Sequence, residues 1–138
     1  MIKENISDSV NIKSTASGTF DILNDFRNFS EVLPQYIDNW QATKDTCSFS
    51  YRNIVDVSFT NEHAVAYEKV VWKMESNIVK TADIVFNITD NGDSVDVNIE
   101  SKADIPTVVM IVYSSMFDNF LNEILLSLKQ FVENKSAK

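Results

Sequence analysis

Two rhythms of apolar residues divide this chain. From Ile6 to about Ile99 they return mostly at every second position, and from Pro106 onward at every third and fourth. The first is the period of a half-buried strand and the second that of a helix covering a core. Val10 and Ile12 alternate with polar neighbours in a first strand. Later strands place Cys47, Phe49 and Tyr51 on one face, then Val55, Val57 and Phe59, then Ala82, Ile84, Phe86 and Ile88, then Val95, Val97 and Ile99. The run 36–45 alternates Tyr36, Asp38, Trp40 and Ala42 against Ile37, Asn39, Gln41 and Thr43. The run 63–75 carries apolar residues on both faces, so the inward face of Ala64–Glu75 stays open. Turns are expected at Lys44–Thr46 and Thr60–Glu62. Asn91-Gly92 between two alternating runs is a strong hairpin signal, because both residues tolerate positive φ.

Between the first strand and this sheet lies a broken helical segment. Ser17 is the expected N-cap, and Phe20, Leu23 and Phe26 fall at helical spacing. A bend is expected over Asn24–Asn28. A second short helix carries Phe29, Val32 and Leu33, and it ends at Pro34 because the residue before a proline is pushed out of the helical region. From Pro106 to about Glu133 there is neither proline nor glycine. One apolar row there holds Val109, Val112, Met116, Phe120, Ile124 and Leu128, and a second holds Met110, Phe117, Leu121, Leu125 and Leu128. This predicts one long helix, the only element long enough to cover the sheet. The fold class is therefore α+β: a curved antiparallel sheet of about seven strands around a long C-terminal helix, with two short helices after the first strand. Residues 1–138 read as one domain.

Composition adds a few exclusions. Hydrophobic residues are 44% and charged residues 23%, ordinary for a globular chain. The net charge is −8, with six basic and ten acidic residues on each side of the Lys69–Val70 bond. There is no basic block to bind nucleic acid or an anionic membrane surface. A single cysteine, Cys47, excludes an internal disulfide and suits a reducing compartment. The start, MIKENISDSV, has no apolar signal region, and no run of about 18 apolar residues suggests membrane insertion. A cytoplasmic protein is expected.

The stretch STASGTFDILNDFRNFSEVLP, with Ser17, Phe20, Leu23, Asp25, Phe29, Leu33 and Pro34 as its marks, resembles the START/Bet v 1-like superfamily. That superfamily, also called SRPBCC, is the helix-grip group that includes the polyketide cyclase/dehydrase proteins. Trp40 and the ADIP before the long helix are similar too, and the likeness in element order spans nearly the whole chain. It implies binding of an apolar or amphipathic ligand, lipid- or polyketide-like, between sheet and long helix. The oxygenase branch needs two histidines and a carboxylate for iron, and the single His63 does not supply them.

No catalytic set emerges from the residues. His63 reads as a solvated turn residue and Cys47 as a buried structural thiol. The two give no zinc set, DNGD is a hairpin turn, and Gly18 and Gly92 make no phosphate loop. No metal or cofactor is expected. The remaining candidates are pocket-wall residues: Tyr51, Tyr67, Trp72, Phe86, Met110, Tyr113, Met116, Phe117 and Phe120. Arg52 and Lys73 could anchor a ligand carboxylate, although a solvated position suits both. A ligand carrier expects an internal cavity of several hundred cubic ångströms. A cyclase- or dehydratase-type enzyme expects an acid or base inside it. A protein-interaction module expects a filled core and an exposed apolar patch.

Overall fold

A computed structural model describes residues 2–31 and 37–136. Eight strands form one antiparallel sheet: β1 (Ile2–Ile6), β2 (Val10–Ile12), β3 (Ile37–Ala42), β4 (Thr46–Tyr51), β5 (Val55–Val65), β6 (Lys69–Ser76), β7 (Thr81–Asp90) and β8 (Val95–Asp104). The sheet runs β1-β8-β7-β6-β5-β4-β3, with β2 paired to the same strand as β1. Helix α1 (Ala16–Leu23) and a 3-10 helix (Phe26–Glu31) follow β2, and α2 (Thr107–Ser136) ends the fold.

The alternating positions point inward as their pattern demands. Cys47, Phe49, Tyr51, Val55, Val57, Phe59, Ile84, Phe86, Val97 and Ile99 are all buried. On β6 the inward face is Val70, Trp72 and Met74, which settles the ambiguous run, and Lys73 lies on the outer face. Residues Asp90 and Val95 close the β7–β8 hairpin, with Gly92 at φ 94.

Several expectations need correction. Strand β1 lies outside the alternating pattern, because Ile2 and Ile6 face outward and the segment carries no inward apolar row. Within β1, Lys3 does face inward, where its ammonium donates to Ser114 Oγ at 2.9 Å and pairs with Asp118 at 3.1 Å on α2. No turn occurs at Thr60–Glu62. The β5–β6 pairing slips between Asn61 and His63, so a bulge absorbs the break in pattern. The turn falls after Val65, with Tyr67 in the left-handed region at φ 67. In β3, Asn39 at φ 58 makes a second bulge. Ile37, Trp40 and Ala42 therefore reach the core together instead of alternating strictly. The α1 cap is Thr15 rather than Ser17: its side chain accepts from Gly18 N–H at 3.0 Å. The expected second helix is a 3-10 helix as far as Glu31, and Val32, Leu33, Pro34 and Tyr36 lie outside the described residues.

Along α2, Val112 leaves the row assigned to it and is exposed. Steps of four residues turn a helix by about 40° more than a full revolution. A row begun at Leu128 has therefore rotated well away from the sheet by the time it reaches Val112.

Two covers close the inner face of the sheet. The 3-10 helix sets Phe26 and Phe29 against Trp72, at ring distances of 4.7 and 5.4 Å. The Trp72 indole N–H donates to the Leu23 carbonyl at 3.3 Å, which ties the end of α1 to β6. The second cover is α2 from Phe117 onward, where Phe117, Phe120, Leu121, Ile124, Leu125, Leu128 and Val132 are buried.

Candidate functional site: an apolar void under the long helix

Among the described residues, two small voids interrupt the packing under the long helix and the sheet. A void of about 30 Å³ is walled by Tyr51, Val55 and Val57 of β4 and β5 and by Met74 of β6. Ile78, Val79 and Ile105 close its end, and Val109, Met116, Phe117 and Phe120 of α2 form its roof. A second void of about 20 Å³ lies among aromatic residues, including Phe29, Trp40, Phe49 and Trp72. Phe120 is the one residue common to both linings, so its ring stands between them. That ring lies 4.8 Å from Tyr51, 5.8 Å from Phe49 and 6.3 Å from Phe59. Among the described residues, both voids are far smaller than the open cavity of several hundred cubic ångströms expected of a carrier. The aromatic residues that could have lined it pack against one another and occupy the space.

The helix above the first void is covered unevenly. Val108, Ile111 and Val112 are 75%, 81% and 63% exposed, a contiguous apolar patch on the first turns of α2. On the inward side of the same turns, Val109 and Met116 face the void and Met110 is half-buried. From Thr107 to Phe117 there is no Asp, Glu, Lys or Arg.

One polar group belongs to the void. Among the described lining residues only Tyr51 carries a hydroxyl, and it donates to Glu123 Oε2 at 3.0 Å. Burial, first of all, pushes the Tyr51 pKa up. The Arg52 guanidinium sits 5.3 Å from the Tyr51 ring, on the β4–β5 turn. Glu123 was not singled out from the sequence, although it stands two turns after Met116 and three residues after Phe120. A lone carboxylate at the margin of an apolar stripe was the available signal.

The predicted wall residues separate into groups. Tyr51, Met116, Phe117 and Phe120 meet at the first void. Trp72 borders the second, while Phe86 is buried against Trp72 at 4.5 Å and borders neither. Tyr67 lies in the exposed β5–β6 turn, edge-on to Phe20 at 5.6 Å. The Tyr113 side chain is outside the described residues. The Cys47 thiol is buried, which pushes its pKa up to about 12. At that value the thiolate needed of a nucleophile is scarcely present at neutral pH. His63 is exposed on β5. Among the described residues no three of His, Cys, Asp and Glu come together to hold a metal, and no helix is long and apolar enough to cross a membrane.

No protein-family model and no curated protein sequence matches the chain. Solved structures do match its fold. The Zhui aromatase/cyclase from a Streptomyces species aligns at a TM-score of 0.83 and 6% identity, over 99% of this chain and 96% of that one. Norcoclaurine synthase from Thalictrum flavum aligns at 0.77 and 6% identity, over 100% and 88%. A START superfamily protein from Mycobacterium smegmatis aligns at 0.67 and 12% identity, over 97% and 95%. At such identities the agreement is one of architecture, and this chain shares the helix-grip fold of those structures.

Proposed function

We propose that this protein binds a small hydrophobic or amphipathic molecule between the sheet and α2, and that the first turns of α2 move to admit it. One observation carries the reading: the larger void lies beneath the half of α2 whose other side is uncovered. Its lining is apolar apart from one tyrosine hydroxyl. Displacing residues 107–116 would break the Lys3–Ser114 hydrogen bond and the inward packing of Val109, Met110 and Met116, and would enlarge the space from one end. Met74 and Met116 in the lining suit an irregular occupant, because a thioether chain adapts its shape readily. The occupant would also have to turn Phe120 aside to reach the second void.

A protein-interaction role is a second reading, favoured by the exposed Val108, Ile111 and Val112 above a filled core. Among the described residues, an enzyme of the cyclase kind would have Tyr51 and Glu123 near the void for proton transfer. Native mass spectrometry of freshly purified protein, followed by organic extraction, separates the readings. The ligand reading predicts a stoichiometric apolar adduct, released on extraction, or uptake of an added apolar probe such as 1-octanol at one site. A clean mass that no apolar probe changes contradicts it and leaves the interaction reading in place.

A further inference from the structure

The two voids are stretches of one trough. Their floors use the same three strands at neighbouring inward positions: Tyr51 and Phe49 on β4, Val57 and Phe59 on β5, Met74 and Trp72 on β6, the first of each pair belonging to the larger void. Successive inward positions on a strand are about 7 Å apart, so the two linings adjoin. The roof is shared as well. Met116, Phe120 and Ile124 stand at successive turns of α2, over the larger void, over both and over the smaller one. From Met116 to Ile124 the helix advances about 12 Å. Among the described residues Phe120 alone belongs to both linings. Its buried ring lies 4.8 Å from Tyr51 of the larger void and 5.8 Å from Phe49 of the smaller.

The polar groups of the two linings are already engaged. The Tyr51 hydroxyl is taken by Glu123 and by the Arg52 guanidinium. The Trp72 N–H is taken by the Leu23 carbonyl, and the Cys47 thiol bonds to the backbone of Phe59. An occupant is therefore recognised by the size and shape of its apolar segment. On the ligand reading above, we propose that Phe120 is the specificity-determining residue of the trough and sets the length of that segment. Its ring closes the trough beyond the Met116 end and confines the occupant to short apolar chains. A smaller side chain at position 120 joins the two stretches and admits longer ones. The joined space would be wholly apolar, the kind of cavity that stays dry and takes up apolar molecules.

A chain-length series tests this: 1-butanol, 1-hexanol, 1-octanol and 1-decanol, titrated into wild-type protein and variants and followed by calorimetry. In wild type the affinity should climb about fourfold for each added methylene and level off within the series, where the chain meets Phe120. In Phe120→Ala the climb should continue, so that 1-decanol binds about tenfold tighter than it does to wild type. Phe120→Leu supplies a milder truncation if Phe120→Ala folds poorly, and it should move the levelling-off in the same direction by less. Leu128→Ala serves as a control, because Leu128 is buried on the same helix and lines neither void. It should level off where wild type does. If both Phe120 variants level off with wild type, or if Leu128→Ala shifts as far as they do, the proposal fails and the ligand reading stands. A wild-type climb that never levels off overturns the proposal in the same way. Binding of none of the four by wild type overturns the ligand reading and the length proposal together.

Discussion

Both parts of α2 are rich in apolar residues, and they have different fates. Between Thr107 and Met116 the side chains of Val108, Ile111 and Val112 stand in solvent. Between Phe117 and Val132 seven apolar residues are buried. The cause lies in what each half faces. The later turns are tied to the end of β2, where Lys129 donates to the Asn11 carbonyl at 2.7 Å and Glu133 accepts from Lys13 N–H at 2.9 Å. The early turns roof an incompletely filled space. Hydrophobic spacing reveals which side of a helix could be buried, but whether a partner covers it depends on residues far away in sequence.

This contrast can be broken by mutation, beginning with the largest effect. Phe120→Ala should cost about 3–5 kcal/mol, the usual cost of truncating a well-packed core phenylalanine. Ile111→Ala should stay within about 0.5 kcal/mol, as surface changes do. Denaturant unfolding of the two variants checks both. Similar losses in the two would mean that the halves are packed alike.

A smaller effect concerns the anchor of the later half. Glu133 has its carboxyl held below the usual range, first by the Lys129 ammonium at 2.8 Å and then by Lys13 N–H. A lowered folded pKa contributes stability above the unfolded value, and this is lost as pH falls through the folded one. Wild type should thus be slightly more stable than Glu133→Gln at neutral pH, and the two should converge on acidification. Thermal unfolding at several pH values checks this, and a gap that stays constant with pH would argue against the anchor.

Much of the fold was legible in the sequence, because alternation reports the inward face directly. Cys47, Phe49 and Tyr51, or Ile84 and Phe86, needed no structure to be placed. The failures sit where local backbone geometry overrides the pattern. The bulges at Asn39 and near His63 shift a strand by one residue without a glycine to announce it. Tyr67 makes a turn in a conformation that a bulky aromatic seldom adopts. The site was harder to read. Tyr51, Met116, Phe117 and Phe120 could be named from their faces. That these rings would fill the hollow depends on their mutual packing, and the link between Tyr51 and Glu123 joins two distant segments.

The proposed function requires that the two halves of α2 differ in the free energy of local opening. Native-state hydrogen exchange, resolved residue by residue along α2, measures this directly. The account predicts that amides of residues 110–116 exchange through local opening, at least about tenfold faster than those of 121–132, a gap of roughly 1.4 kcal/mol. Saturating 1-octanol should slow the early half selectively. Exchange of both halves at one rate, set by global unfolding and unmoved by the probe, would show that α2 is a single rigid cover and contradict the account.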